Sequence, residues 1–283
     1  MGQEKVEFLI HLRKFGETLA DYVSISGRDW SIKGFIDIDQ NIYTISSDTK
    51  IISKILEIQL FPKFLEFAES IGYDLVLSEH QNWYPDISFV KKTDPSVKFA
   101  VDIKTTYRLP EYEDFCNGFT LGSHGAYFRD HTSTKNIQFP YGDYRAHISL
   151  GVLYTRALSK DINETEIRRI DELTSITSVI SDLLFFAEEK WKIASDRSGS
   201  GNTANIGSIS YIPDILSGNG TFARLGENLF DEYWINQGVL QVPDPQKPNK
   251  FKKLTKLSEF LEFKGIDISL INKTKPRRMI KLS

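Results

Sequence analysis

Two strand-forming runs, Ile87 to Val90 and Val97 to Thr106, are joined by the turn-rich link Lys91-Lys92-Thr93-Asp94-Pro95-Ser96. Asp, Pro and Ser favour a chain reversal, so the two runs form an antiparallel pair. Tyr73 to Leu77 reads as a third strand beside them. Upstream, Phe8, Leu9, Leu12, Phe15, Leu19 and Tyr22 fall close to helical spacing. Gly34 to Ile38 and Asn41 to Ile45 flank an Asp39-Gln40 turn and predict a β-hairpin. Ser47 or Asp48 offers an N-cap to a helix carrying Ile51, Ile52, Ile55, Leu56 and Ile58. Pro62 is expected to kink or restart that helix, which runs on to about Ser70. Further along, Ile148 to Thr155 and Leu183 to Phe186 are strand-like, while Glu164 to Phe186 as a whole reads as helical or mixed. Gly118 to Gly125 and Ser198 to Gly207 read as polar, glycine-rich loops. This order defines an α/β or α+β protein built on one mixed β-sheet flanked by helices. The length allows one large domain or two small ones, and a single domain over residues 1–283 is the expected arrangement.

Composition narrows the classes. Apolar residues at 40% and charged residues at 26% are ordinary for a globular chain and exclude a disordered or collagen-like one. The single cysteine, Cys116, excludes a disulfide framework and a zinc site made of CxxC pairs, and suits a reducing cytoplasm. No apolar run approaches the roughly 18 residues that span a bilayer, and MGQEKVEF lacks a signal-peptide pattern. A cytoplasmic protein with no membrane partner is expected. Net charge is −3 overall, but Pro245 to Ser283 carries 11 Lys and Arg against 3 Asp and Glu, or +8, which leaves −11 on the rest. A basic end of this kind suits phosphate contacts, and equally suits a solvated terminus.

The chemically dense stretch is Pro85-Asp86, followed by Asp102-Ile103-Lys104 on the next strand. Side chains alternate along a strand, so Asp102 and Lys104 share one face while Val101 and Ile103 point to the other. The antiparallel pairing brings Asp86 near Asp102 across the ladder. Two adjacent carboxylates repel unless a cation lies between them. Oxygen-only ligands suit Mg²⁺, and a lysine on the same face could hold a water against a scissile phosphate. Read by themselves, these residues are also compatible with two strand-edge carboxylates balanced by a lysine.

Together they resemble the PD-(D/E)xK nuclease signature. Four blocks extend the likeness in order over roughly residues 30 to 210: Ser47-Asp48-Thr49-Lys50, Gln81-Asn82-Trp83-Tyr84-Pro85-Asp86, Asp102-Ile103-Lys104-Thr105-Thr106-Tyr107 and Gly199-Ser200-Gly201-Asn202-Thr203. Thr134-Lys135-Asn136-Ile137, Tyr154-Thr155-Arg156 and Asn205-Ile206-Gly207-Ser208-Ile209 support it. The chain thereby resembles the EcoRV-like family of type II restriction endonucleases.

The resemblance implies a restriction-endonuclease-like fold. It implies catalytic roles for Asp86, Asp102, Lys104 and Glu57, with Asp86, Asp102 and Glu57 as Mg²⁺ ligands. It makes Gly199, Gly201, Asn202 and Thr203 the base-reading loop, where an asparagine can pair with adenine and glycines admit the backbone. Gln81 and Asn82 fall in a minor-groove loop, and Thr49, Lys50, Thr105, Thr106 and Lys135 are further DNA-binding candidates, with Arg156 for phosphate or inter-subunit contacts. His80, Trp83 and Ala204 depart from the family's residues at the edges of these elements.

The implied activity is a Mg²⁺-dependent double-strand cut in a palindromic DNA site, leaving 5′-phosphate and 3′-hydroxyl ends. The implied site is GATATC cut at its centre to blunt ends. The implied assembly is a homodimer with dimerisation elements near 31–46 and 161–180, a cognate DNA methyltransferase being expected in the same system but not as a subunit. Two rivals remain. A repair or junction-resolving nuclease on the same core would need no base-reading loop, and a non-catalytic DNA-binding module would not need the Asp86, Asp102 and Lys104 set.

Overall fold

A computed structural model describes residues 2–80, 82–199, 204–244, 247 and 249–275. Helix α1 (Gln3–Val23) and helix α2 (Thr49–Ser70) pack on one face of a mixed sheet, contributing Phe8, Leu12, Leu56 and Phe64 to its core. Asp48 is the N-cap of α2, its carboxylate accepting from the backbone N–H of Lys50 and Ile51. Helix α2 runs on through Pro62. Proline removes one N–H donor at that point, and the buried residues on either side, Leu60 and Phe64, hold both halves against the same core.

The central strands are β1 (Tyr73–Leu77), β2 (Ile87–Lys91), β3 (Lys98–Leu109), β4 (Tyr144–Arg156) and β5 (Ile180–Glu189). They lie in the order β5-β4-β3-β2-β1, extended at the β5 edge by two short strands, Asp29–Trp30 and Ser24–Ile25. All neighbouring pairs are antiparallel except β3 with β4, which run parallel and align Asp102 with Ser149. Gly151 on β4 faces Phe186 on β5, and a Cβ there would lie 2.1 Å from that ring, so a larger residue would have to displace it.

The sheet separates two apolar clusters. Phe99, Val101 and Ile103 face α1 and α2, while Ala100 on the alternate face joins Tyr84, Tyr127, Phe128, Tyr141, Ile206 and Trp234. The expected hairpin is present as Gly34–Ile36 and Asn41–Thr44, and Ile167–Arg169 adds a third strand to it.

Two expectations are corrected. The segment from Glu164 to Phe186 holds no α-helix: it contains the Ile167–Arg169 strand, a 3-10 turn at Ile170–Ser175 and then β5. Its apolar residues gain burial by pairing in the sheet, with Ile180, Leu183 and Phe185 in the core. Nor are the two glycine-rich segments loops throughout, because Thr120–Ser123 and Asn205–Ser208 pair with one another as strands. Part of the basic C-terminal region is folded rather than solvated. A small hairpin (Gln241–Pro243 with Phe251–Lys253) and the Leu257–Lys264 helix bury Val242, Leu257, Phe260 and Leu261 in the second cluster. No helix among the described residues is long and apolar enough to cross a membrane.

Candidate active site

The strand register puts the chemical residues together. Ile87 pairs with Val101, so Asp86, one residue before β2, stands opposite Asp102. The backbone N–H of Ile103 donates to Asp86 Oδ2 at 2.7 Å and fixes that carboxylate at the head of the strand pair. Ser78 donates to the Pro85 carbonyl and ties down the turn that carries it. Asp102 and Lys104 project from the same face as expected. Lys104 Nζ lies 2.7 Å from Asp102 Oδ2 and 3.9 Å from Asp86 Oδ2.

This is two carboxylates with one ammonium between them, at the margin of the second apolar cluster. Burial, and then the neighbouring Asp102 charge, push the Asp86 carboxyl up to about 7, with Lys104 pulling the other way. For Lys104, burial works against the charged form. The Asp102 and Asp86 charges outweigh it and hold the ammonium above the ordinary lysine value. The ammonium is therefore firmly charged, while the carboxylate pair is short of positive charge. Oxygen-only donors with unbalanced negative charge fit a hard divalent cation, which binds through one or two carboxylates and keeps several waters. Among the described residues no three His, Cys, Asp or Glu side chains converge on one point.

Glu57 stands on α2 at the side of this centre. It ion-pairs with Lys54 at 2.8 Å, lines the cleft next to Asp86 and adds to the field on Lys104. Asn82 and Lys135 are exposed and line the cleft that holds Asp86, Asp102 and Lys104. Thr49, Lys50, Thr105 and Thr106 line the adjoining concavity. Thr106 is nonetheless buried, and Thr49 Oγ1 is engaged by Arg156 Nη2 at 2.6 Å. Arg156 itself lies 3.6 Å from the centroid of the Tyr107 ring, so Thr49, Tyr107 and Arg156 form one packed unit.

Gln81, Gly201, Asn202 and Thr203 lie outside the described residues. Of the block expected to read bases, Gly199 is described. Its N–H donates to Asn205 O at 2.9 Å, and a Cβ there would come within 3.0 Å of Gly207 Cα. A side chain at this position would press on the facing backbone, which would have to give by a few tenths of an ångström.

One charged group escaped the sequence reading. Lys190 is buried, with no hydrogen-bond partner for its Nζ among the described residues, and sits 5.1–5.8 Å from the ring centroids of Tyr84, Phe128 and Tyr141. Burial pulls it down to about 8, against the charges of Asp102 and Asp231. It reaches the active centre from behind: a Cβ on Gly122, which lines the cleft with Asp86 and Asp102, would be 3.6 Å from its Nζ. The signal was a charged Glu188-Glu189-Lys190 run ending a strand, which reads as a solvated edge and is in fact buried. Glu188 and Glu189 reach cations on α1, Arg13 and Lys5.

A mixed sheet whose Pro-Asp turn and Asp-x-Lys strand converge in this way has the architecture of a restriction-endonuclease-like nuclease. A family model for restriction endonuclease EcoRV matches residues 26–265. The type II restriction enzyme EcoRV of Escherichia coli is 38% identical over 208 residues, covering 73% of this chain and 82% of that enzyme. The chain belongs to the EcoRV family of type II restriction endonucleases, and is thus a site-specific deoxyribonuclease.

Proposed function

We propose that the protein cleaves both strands of a palindromic duplex with Mg²⁺, leaving 5′-phosphate and 3′-hydroxyl ends. The convergence of Asp86, Asp102 and Lys104 carries this reading. Asp86 and Asp102 would hold the ion, with Glu57 as a further carboxylate beside them. When bound, Mg²⁺ supplies positive charge against the negative charge that gathers on the phosphate during in-line displacement. Lys104 has three N–H donors and spends one on Asp102. The others can hold a water in line with the phosphorus and favour its loss of a proton. Water adds to phosphorus, the P–O3′ bond breaks, and the departing O3′ takes up a proton.

A palindrome matches a two-fold protein, so a homodimer is the expected assembly. The small sheet at Gly34–Thr44 and Ile167–Arg169 supports it. Phe35, Ile36, Tyr43, Ile167 and Ile170 are exposed there, and Ile38 is 97% exposed. Exposed apolar residues concentrated on one element mark an interface.

For sequence choice we take GATATC with a central blunt cut. The 38% identity to EcoRV and the Gly199-Ser200-Gly201-Asn202-Thr203 block support it. The outer pairs would be read by hydrogen bonds worth roughly 1–3 kcal/mol each. The central TA step would be read by its low cost of unstacking. A methyltransferase of the same specificity is the expected companion, because an unprotected genome would be cut.

The test is digestion of a plasmid library with the purified protein and Mg²⁺, followed by sequencing of the ends. Blunt ends at one palindrome support the reading. Staggered ends or other outer pairs overturn the site and cut position, and absence of cleavage overturns the nuclease.

A further inference from the structure

Lys190 takes no part in the cleavage steps above, yet its place in the fold is costly. The residue is 2% exposed, and its Nζ has no hydrogen-bond partner among the described residues. A buried ammonium with no counter-ion in contact lowers stability, which a methionine of similar length would not. We infer that Lys190 is a positioning residue of the cleavage reaction: its charge, set behind the carboxylates, disfavours a divalent ion in the DNA-free centre and favours the ion and the scissile phosphate together. The inference rests on the nuclease reading above and concerns a group outside the Asp86, Asp102 and Lys104 set.

The ammonium is held in place. Lys190 follows Glu189, the last residue of β5, whose carboxylate pairs with Lys5 on α1 and with Lys192 at 3.0 Å. Just beyond, the Lys192 carbonyl accepts from the Gly220 N–H at 2.7 Å, and the Ile193 carbonyl from the Ile209 N–H at 3.0 Å. Fixed on both sides, the side chain enters a cage of Tyr84, Phe128 and Tyr141. Ring faces attract a cation without neutralising it. Tyr84 belongs to the turn that carries Asp86, and Gly122 beside the Nζ belongs to the cleft wall. Lys190 feels the charges of Asp102, Asp231 and Lys104. Asp231 is a weak counter-charge, because burial and Glu227 raise its carboxyl to about 7. His147 is kept neutral first by burial and then by Lys190 itself.

Charge balance gives the function. Lys104 alone leaves the two carboxylates one positive charge short, and Lys190 supplies it from behind without touching them. Glu57 is answered by Lys54. A divalent ion that enters without DNA therefore adds its charge to a centre already balanced. A phosphodiester brings negative charge with it, and more gathers on its oxygens during displacement. Only then do the ion and both ammoniums all have partners. An interaction that is stronger in the transition state than before it raises the rate. Protons compete with the ion for the carboxylates, but a doubly charged ion feels Lys190 twice as strongly as a proton does, so the sign holds.

The experiment compares the full-length protein with its Lys190→Met, Lys190→Gln and Lys190→Arg variants at pH 7. Mn²⁺ alone is titrated into each DNA-free protein and followed by the resonance of the free ion. Single-turnover cleavage is then timed at saturating Mg²⁺ on a duplex bearing the site read from digestion ends. Both neutral variants should bind Mn²⁺ about three- to tenfold more tightly and cleave about tenfold or more slowly. Lys190→Arg should stay within about twofold of the unaltered protein in both. In EDTA the Lys190→Met protein should melt no lower than the unaltered one. Opposite movements of metal affinity and rate are what a loss of packing would not produce. Unchanged or weaker Mn²⁺ binding in the neutral variants, an unchanged rate, or an arginine variant that behaves like them overturns the inference. So does a parallel loss of affinity, rate and melting temperature, which would make Lys190 a packing residue. Failure of the unaltered protein to cut any duplex would instead sink the nuclease reading, and the Mn²⁺ titration would still decide whether Lys190 opposes the ion.

Discussion

Replacing Asp86 by asparagine should disable the enzyme and stabilise its metal-free fold. The Asp86 carboxyl is raised from 3.8 to about 7 by burial and by Asp102. Its folded value lies above its unfolded one, so between about pH 4 and pH 7 the native state keeps a proton that the unfolded chain releases. Stability therefore falls as pH rises through that window, and the penalty is complete above pH 7. At 1.36 kcal/mol per pH unit the ceiling is about 4 kcal/mol. The side chain keeps 29% of its surface open to water, and Lys104 answers part of the repulsion. A penalty of about 1–2 kcal/mol is the reasonable share. Asparagine preserves an acceptor for the Ile103 N–H and removes the charge. At pH 8 in EDTA the Asp86→Asn protein should melt about 2–8 °C higher than the unaltered one, given about 2–4 °C per kcal/mol at this size. At pH 5 the gain should shrink towards zero, because both proteins are then neutral at that position. Calorimetry at the two pH values, with and without Mg²⁺, checks this. Mg²⁺ should raise the melting temperature of the unaltered protein more than that of the variant. An equal or lower melting temperature for Asp86→Asn at pH 8, or a gain that does not depend on pH, refutes the charge argument.

Four further outcomes follow from the proposed function. Lys104→Met should lower single-turnover cleavage by about 10³-fold or more while Ca²⁺-supported DNA binding stays within a few fold; a small loss of rate would place the water-handling group elsewhere. Excess EDTA should abolish cleavage, and Mg²⁺ or Mn²⁺ should restore it; turnover in EDTA would remove the metal from the mechanism. Asn202→Ala should cripple cleavage of the cognate site yet leave weak nonspecific binding, which comes from phosphates, unchanged in a filter or gel assay. Ile38→Asp on the exposed small sheet should shift sedimentation from dimer to monomer, and a variant that stays dimeric would move the interface elsewhere.

What the sequence disclosed, and what it withheld, divides along contact range. Asp86, Asp102 and Lys104 were legible because one short turn sets the β2–β3 register, and register alone decides which side chains share a face. The N-cap at Asp48 and the Gly34–Thr44 hairpin were local for the same reason. Glu164 to Phe186 misled because its spacing carries no note of the partner strand. The apolar residues of β5 are buried by β4 and α1, which lie tens to well over a hundred residues away in sequence. Lys190 was withheld in the strict sense: its partners Tyr84, Phe128 and Tyr141 come from three separated segments, and only their packing turns a lysine in a charged run into a buried cation.

The same long-range packing ties the proposed base-reading loop to the proposed catalytic carboxylates. Asn205 and Gly207, just past the reading loop, pair with Ser123 and Thr120. Gly122 and Ser123 line the cleft with Asp102, and Lys190 packs beneath Gly122, where φ is +99° and a side chain would be strained. The arm that follows the proposed reading loop and the carboxylate cleft are therefore joined by the four-residue strand Thr120–Ser123, backed by a buried ammonium. A strand this short pairs through few hydrogen bonds, and its position depends on what lies on either side of it. On the proposed function, strain introduced at that loop has a direct mechanical route to the Asp86–Asp102 face through Thr120–Ser123, residues given neither a base-reading nor a catalytic role.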